Sequence, residues 1–370
     1  MTNKAAIDYC IKLAKNGKEN DIRPNPFVGA IVLDANQEVI GTGYHQKLGG
    51  PHAEVYAIEE ALQKTETLSQ CTLYVSLEPC SHFGKTPPCV DLIIKHRLKK
   101  VVIASLDPNP KVGSVKQLEQ AGIEVEVMND PLAISLNKRF FTQHLKQRPY
   151  FILKTASTVD GKIADQNGNS KWISNEFSRQ FVHTQLRSNV DAILTTYKTI
   201  LKDEASLTIR IDGAPIKETN VIIIDKELSL LNAEYNKLPI FYNRSNSKIY
   251  FVTDKKNTIV QDKSIEFIEG VFNDKGLVVE SITKQLLEKG IYTILTEAGN
   301  RLNASLIDQK IADELYWFIA PKILNDLQGI SMFGNHEINT IATTYDLELI
   351  NIEKFDQDLL VHYNFKHKLD

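Results

Sequence analysis

His52-Ala53-Glu54, followed by Pro79-Cys80-Ser81-His82-Phe83-Gly84-Lys85-Thr86-Pro87-Pro88-Cys89, is the stretch around which the rest of this 370-residue chain falls into place. One imidazole and two thiols form a nitrogen–sulfur donor set. Catalytic zinc takes three such protein ligands and keeps a fourth position for water. His52–Gln63 is rich in Ala, Glu and Leu and reads as a helix. Glu54, near its start, can therefore reach metal-held water without binding the metal. Cys89 opens a second helical segment, 90–97, directly after two prolines, which suit a helix start. A helix N-terminus also favours the thiolate that zinc needs. A surface histidine and two buried cysteines would account for each residue separately, but not for their joint order. Cys10 on an apolar helix face and Cys71 before a strand read as packing cysteines.

Outward from this stretch, helical and strand patterns alternate. Ile7, Cys10, Ile11 and Ala14 recur at helical spacing and predict a helix over 4–16. Apolar runs at 27–33 and 39–44 flank the turn Asp34-Ala35-Asn36-Gln37. Strands are expected at 72–77, 101–105 and 123–127, with a closing helix over 131–146. Such alternation predicts a layered α/β domain, here 1–146. Lys146-Gln147-Arg148-Pro149 is a polar break, and a second domain is expected over 150–370. Its strands are predicted at 150–156, 191–195, 220–225, 239–242, 248–253, 291–296 and 314–320. Helices are predicted at 175–188, 197–203, 279–289 and 303–309, and a final hairpin at 346–352 and 358–366. Gly41-Thr42-Gly43 is a fragment of a dinucleotide fingerprint set in a strand hairpin, and carries no weight.

The order His-x-Glu, Pro-Cys, Cys is the signature of zinc nucleobase deaminases, with the glutamate as proton shuttle. The eight residues from Ser81 to Pro88 depart from the short spacing of that signature and would line the mouth of the site. This segment resembles the deaminase half of the bifunctional riboflavin-biosynthesis family. So do Arg23-Pro24-Asn25-Pro26-Phe27-Val28-Gly29, Gly49-Gly50-Pro51 and Asp107-Pro108-Asn109-Pro110. The resemblance implies a cytidine-deaminase-like α/β/α sandwich. It implies hydrolytic removal of the 2-amino group from a diamino-pyrimidinone ribosyl 5′-phosphate. Its zinc ligands would be His52, Cys80 and Cys89, with Glu54 catalytic. Asn25 would bond the pyrimidine, with His82, Lys85 and Thr86 near the ribose phosphate. Lys111-Val112-Gly113-Ser114-Val115 departs from the family in being short and poor in glycine.

The second half carries Lys154-Thr155-Ala156-Ser157-Thr158-Val159-Asp160-Gly161, Ser170-Lys171-Trp172, Leu186-Arg187, Glu297-Ala298-Gly299 and Ala320-Pro321-Lys322. In this order they resemble the same family's reductase half, which has a dihydrofolate-reductase-like α/β fold. Small residues after a strand and before a helix let backbone amides approach a phosphate, and arginines bind phosphate bidentately. The resemblance implies NADPH at Ala156, Trp172, Thr199, Asp203, Gly299, Asn300 and Arg301. It places the sugar phosphate at Ser170, Arg187, Leu207, Arg210 and Glu297, with Lys154 beside the reacting ribose. The implied chemistry is hydride transfer that opens the ribose to a ribityl group. Thr195-Thr196-Tyr197-Lys198 stands where many relatives carry glycine. That motivates an alternative in which the second domain binds ligand without reducing it.

A cytidine or tRNA-adenosine deaminase and a structural zinc module are further alternatives. The chain's net charge is -3 without a basic run, which argues against a tRNA surface. Structural zinc takes four protein ligands, and three are apparent. A cytosolic enzyme with a small-molecule substrate is expected, and the resemblance implies a homodimer or higher homo-oligomer through the reductase half. No apolar stretch approaches the ~20 residues of a membrane span.

Overall fold

Gly29–Leu33 (β1) is apolar and buried at every position, and its side chains alternate between two cores. Ala30 and Val32 point into one cluster, Ile31 and Leu33 into the other. That period of two makes β1 a central strand with helices on both faces. The computed structural model describes residues 1–84, 87–231, 237–242, 244, 246–255, 262–334, 340 and 343–366. The chain divides into two compact units, Met1–Gln147 and Arg148–Asp370.

In the first unit β1 joins β2 (Val39–Tyr44), β3 (Thr72–Val75), β4 (Lys100–Ile103) and β5 (Glu124–Val127) in the order β2-β1-β3-β4-β5. β1 runs antiparallel to β2 and β3, and β3, β4 and β5 are parallel. One face packs α3 (Ala53–Leu62), α4 (Cys89–Lys95) and α5 (Ser114–Gln120) through Ala57, Ile58, Val90, Ile93 and Leu118. The other packs α1 (Asn3–Ala14) and α6 (Pro131–Leu136) through Ile7, Cys10, Ile11 and Ala133. A short α2 (Glu19–Ile22) follows α1. The closing helix expected over 131–146 is broken in two, α6 and then α7 (Lys138–Leu145). The break is at Asn137, whose side chain leaves the helical path to bond the Phe27 N–H (2.8 Å) and C=O (2.9 Å).

The second unit is built on a nine-stranded sheet. Its strands are β6 (Tyr150–Thr158), β8 (Ala192–Thr196), β9 (Asn220–Ile224), β10 (Ile249–Thr253), β11 (Ile265–Glu269), β14 (Thr293–Thr296), β15 (Ala312–Ala320), β17 (Leu347–Phe355) and β18 (Asp358–Phe365). Short strands β7 (Lys162–Ala164), β12 (Val271–Asn273), β13 (Gly276–Val278) and β16 (Ile330–Ser331) pair outside it, β12 with β13 and β7 with β16. The order is β11-β10-β9-β8-β14-β6-β15-β18-β17, parallel as far as β15 and antiparallel for the closing hairpin. Helices α8 (Glu176–Phe181), α9 (Tyr197–Asp203), α10 (Glu280–Glu288) and α11 (Asn300–Asp308) complete it. A buried bidentate pair, Arg148 with Asp313 (both bonds 2.7 Å), ties the start of β6 to β15. Asp313 also accepts the Phe151 N–H.

Three local expectations change. Residues 239–242 form a 3₁₀ turn, Pro239–Phe241, because proline lacks the N–H a strand would use. The helix expected over 175–188 gives way after Phe181 to a π-turn, Val182–Leu186, and a 3₁₀ turn, Arg187–Asn189. The helix expected at 303 starts at Asn300, with Gly299 as its cap.

Candidate active sites

In the first unit, His52 stands at the N-cap of α3 with extended backbone, which turns its ring back toward the loop after β3. Cys80 lies in that loop and Cys89 is the first residue of α4. His52 Nδ1 is 3.5 Å from Cys80 Sγ and 3.3 Å from Cys89 Sγ. The three donors lie within 4.8 Å of one another. A tetrahedral zinc with Zn–S of ~2.3 Å and Zn–N of ~2.1 Å needs N···S separations of about 3.6 Å, so this set fits that ion. The Cys89 N–H donates to Cys80 Sγ (3.2 Å). Beside Cys89 and the His52 ring, the Cys80 thiol is held down at about 4, in the thiolate form a metal requires.

Glu54, in the first turn of α3, is 3% exposed and its Oε2 has no hydrogen-bond partner among the described residues. Burial pushes this carboxyl up. Glu54 also shares a side-chain hydrogen bond with Cys89, and an unpartnered buried carboxylate oxygen beside such a donor set is placed where it could carry a proton. It opens on a cavity of about 320 Å³. Asn25 and His82 line the cavity. Asn25 Nδ2 lies 3.1 Å from His45 Nε2, and His45 Nδ1 faces the Pro51 carbonyl at 3.4 Å. This network assigns the tautomer: Nδ1–H donates to Pro51, and Nε2 accepts from Asn25. His82 Nδ1 is buried without a partner among the described residues. Lys85 and Thr86 lie outside the described residues.

Several lining residues escaped the motif reading. His45, 3% exposed, holds Asn25 and packs edge-on to His52 at 5.4 Å. A second histidine close to His52 was the available signal. Glu78, next to Pro79-Cys80, accepts from the N–H groups of Asp107, Ser114 and Val115 and so locks the 107–115 segment onto the metal loop. Phe140, Gln143 and His144 of α7 form a further wall, with Phe140 and His144 in ring contact at 4.5 Å. Nothing local in the sequence marks that helix as a pocket wall.

In the second unit Lys154 of β6, Arg187, Arg210 and Glu297, just past β14, form one charged group, near the carboxyl end of β14, where open parallel sheets hold ligands. Glu297 follows β14, its N–H bonded to Leu194 of β8. Arg187, 9% exposed, grips it bidentately through Nε (2.5 Å) and Nη2 (3.0 Å). Its Nη1 donates to the Thr208 carbonyl at 2.7 Å. All three guanidinium nitrogens are thus engaged within the protein. Burial alone would raise the Glu297 carboxyl, but Arg187 and Lys154 hold it at about 2. Burial lowers the Lys154 ammonium, opposed by Glu297. Leu207 is buried at φ 49°. Arg210 is exposed, and its side chain has no partner among the described residues.

The expected cofactor residues are spread over β6, α9, α11 and the loop after β7. Ala156 is half-buried on β6, Thr199 and Asp203 are on α9, and Asn300 and Arg301 open α11. A Cβ added to Gly299 would meet nothing within 4 Å, leaving room for a ligand phosphate against the α11 N-terminus. Thr196 has ordinary extended backbone and caps α9, accepting the Thr199 N–H at 3.4 Å. No positive φ calls for glycine there. Ser170 is half-buried, and Trp172 is 66% exposed with its ring under Arg179 at 4.6 Å.

Residues 1–105 match the family model for the cytidine and deoxycytidylate deaminase zinc-binding region. Residues 149–361 match that for the RibD C-terminal domain. The chain is 37% identical to riboflavin biosynthesis protein RibD of Aquifex aeolicus over 98% of each chain. It is 36% identical to that of Actinobacillus pleuropneumoniae, over 98% of this chain and 95% of the relative. Among solved structures it is similar to a diaminohydroxyphosphoribosylaminopyrimidine deaminase/5-amino-6-(5-phosphoribosylamino)uracil reductase from Thermotoga maritima. The TM-score is 0.80 at 34% identity, covering 98% of this chain and 99% of that one. It is also similar to Acinetobacter baumannii RibD, with TM-score 0.79 at 29% identity and 99% of each chain covered.

Proposed function

The chain belongs to the RibD family of bifunctional, zinc- and NADPH-dependent riboflavin-biosynthesis deaminase–reductases, and from that premise we propose how its residues divide the two reactions. Residues 1–146 form the deaminase domain and 150–370 the reductase domain. His52 Nδ1, Cys80 Sγ and Cys89 Sγ would hold the zinc. When bound, zinc supplies a Lewis acid that makes water nucleophilic at neutral pH. Glu54 Oε2 takes the proton released from the attacking water and delivers it to the departing 2-amino group. Asn25, held by His45, orients the pyrimidinone, while His82, Lys85 and Thr86 meet the ribosyl phosphate.

In the second domain Ala156, Trp172, Thr199, Asp203 and the 299–301 turn would hold NADPH, which when bound would supply the hydride for the ribose carbon. Lys154 Nζ gives a proton to the ribose ring oxygen as the C–O bond breaks and the ring opens. Glu297 keeps that ammonium in place, and Arg187 keeps Glu297 in place. Ser170, Leu207 and Arg210 hold the sugar phosphate, with Arg210 as its principal cation. The unbridged, buried Cys10 and Cys71 support a reducing, cytosolic setting. We also infer a homodimer or higher homo-oligomer. The supporting feature is the edge hairpin of β17 and β18, with Leu349 53%, Ile352 55% and Leu359 41% exposed.

The observation that carries the reading is the three-donor set beside the unpartnered Glu54 oxygen. The deciding experiment is metal content with product analysis on the diamino-pyrimidinone phosphate. One zinc per chain and ammonia release are expected without NADPH, and a ribitylamino product appears on adding it. Protein carrying zinc that releases no ammonia from this substrate would overturn the deaminase reading.

A further inference from the structure

In the second unit, the segment from Ser206 to Arg210 is held along one edge by side chains instead of by a strand. Its other edge makes a single bridge, Ile209 with Lys217. On the free edge Arg244 Nη2 donates to the Ser206 carbonyl (2.8 Å), and Arg187 Nη1 to the Thr208 carbonyl (2.7 Å). His183 Nδ1 accepts the Arg210 N–H (3.0 Å). Ser206, Thr208 and Arg210 are therefore each pinned by a side chain, with Leu207 at φ 49° between the first two. The last pin differs in kind. The Arg210 N–H needs an acceptor, yet Arg187, Arg210 and Lys154 fill the surroundings with positive charge, opposed by Glu297. Arginine and lysine cannot accept a hydrogen bond, and a neutral imidazole can.

His183 and Arg187 lie four apart across the π-turn Val182–Leu186. Widened turns of this sort recur at functional sites. Here both side chains meet the same segment, two residues apart. His183 is 9% exposed. Burial, reinforced by Arg187 and Arg210, holds its ring down at about 4, so it is neutral and able to accept at physiological pH.

We propose that His183 is a positioning residue for the reduction, fixing the main chain at Arg210 and with it the direction in which the Arg210 guanidinium meets the substrate's phosphate. This rests on the reading of Arg210 as the phosphate ligand. The test uses full-length zinc-loaded protein with NADPH and 5-amino-6-(5-phosphoribosylamino)uracil, alongside its dephosphorylated form. Asn places an acceptor oxygen where His183 Nδ1 stands, and Gln, equally polar, does not. His183→Gln is expected to raise KM for the phosphorylated substrate about tenfold with kcat within about twofold. His183→Asn is expected to stay within about twofold of wild type. Adding His183→Gln to Arg210→Gln should bring no further loss. The proposal is overturned if the Asn and Gln variants share one KM, or if the Gln variant loses kcat at unchanged KM. Arg210→Gln that weakens both substrate forms equally would instead remove the phosphate reading of Arg210.

Discussion

Glu54 and Glu297 are both buried carboxylates, but their surroundings oppose each other. Glu54 lacks a partner for Oε2 among the described residues, whereas both oxygens of Glu297 are held by Arg187. The first is suited to moving a proton and the second to keeping a fixed charge. Glu54→Gln is expected to retain zinc, lose deamination by 10²–10⁴-fold and leave the reduction of deaminated intermediate unchanged, as ammonia release and NADPH absorbance would report. Cys89→Ser is expected to lower bound zinc below one per chain by metal analysis, because a hard hydroxyl replaces a soft thiolate. Glu297 has its folded-state value lowered to about 2. Its contribution to stability is therefore complete above the unfolded value near 4.3 and declines as pH falls toward 2. The melting-temperature gap between wild type and Glu297→Gln should accordingly shrink between about pH 4.5 and 2. A gap that stays constant across this range would contradict the assigned ion pair. At this scale the clustering of His52, Cys80 and Cys89 and the place of Glu54 at the start of α3 were legible from residue type and order. His45 and His183 were not, since each acts on a group brought to it by folding.

At the scale of the element, α3 carries both His52 and Glu54, and its position depends on β2. A Cβ added to Gly43 would lie 2.1 Å from the Ala53 carbonyl, and one at Gly41 2.0 Å from that of Ala57. The Gly41-Thr42-Gly43 pattern is thus a close helix–strand contact rather than a nucleotide motif. Gly43→Ala is expected to push α3 off the sheet, lowering both deaminase activity and the melting temperature. In the second unit Thr196 caps α9. Thr196→Gly should cost only a few tenths of a kcal/mol of stability, a shift of about 1 °C or less, leaving NADPH turnover in place. Periodicity located most helices and strands, but the break at Asn137 and the π-turn at 182–186 were hidden. Asn137 exchanges helical continuity for two bonds to Phe27, a residue remote in sequence.

For the molecule as a whole, the closing hairpin leaves β17 at the sheet edge with exposed aliphatic side chains. If this is the contact between copies, the double substitution Leu349→Asp with Ile352→Asp should shift the protein toward monomer in sedimentation analysis. Its deaminase rate should persist, since the described residues lining the deaminase cavity fall between Pro24 and His144. An unchanged oligomer would move the contact elsewhere.

By itself the sequence pointed to two α/β units, their polar junction near residue 147, the grouping of His52, Cys80 and Cys89 and the family of reactions. These are carried by residue type, order and period, which survive without knowledge of distant contacts. Only the tertiary structure decided that Arg187 serves Glu297, that α7 walls the first cavity, and that His183 holds Arg210. Each of those depends on which side chains meet across the fold, and hydrogen-bond partners separated by tens or hundreds of residues leave no local pattern in the chain.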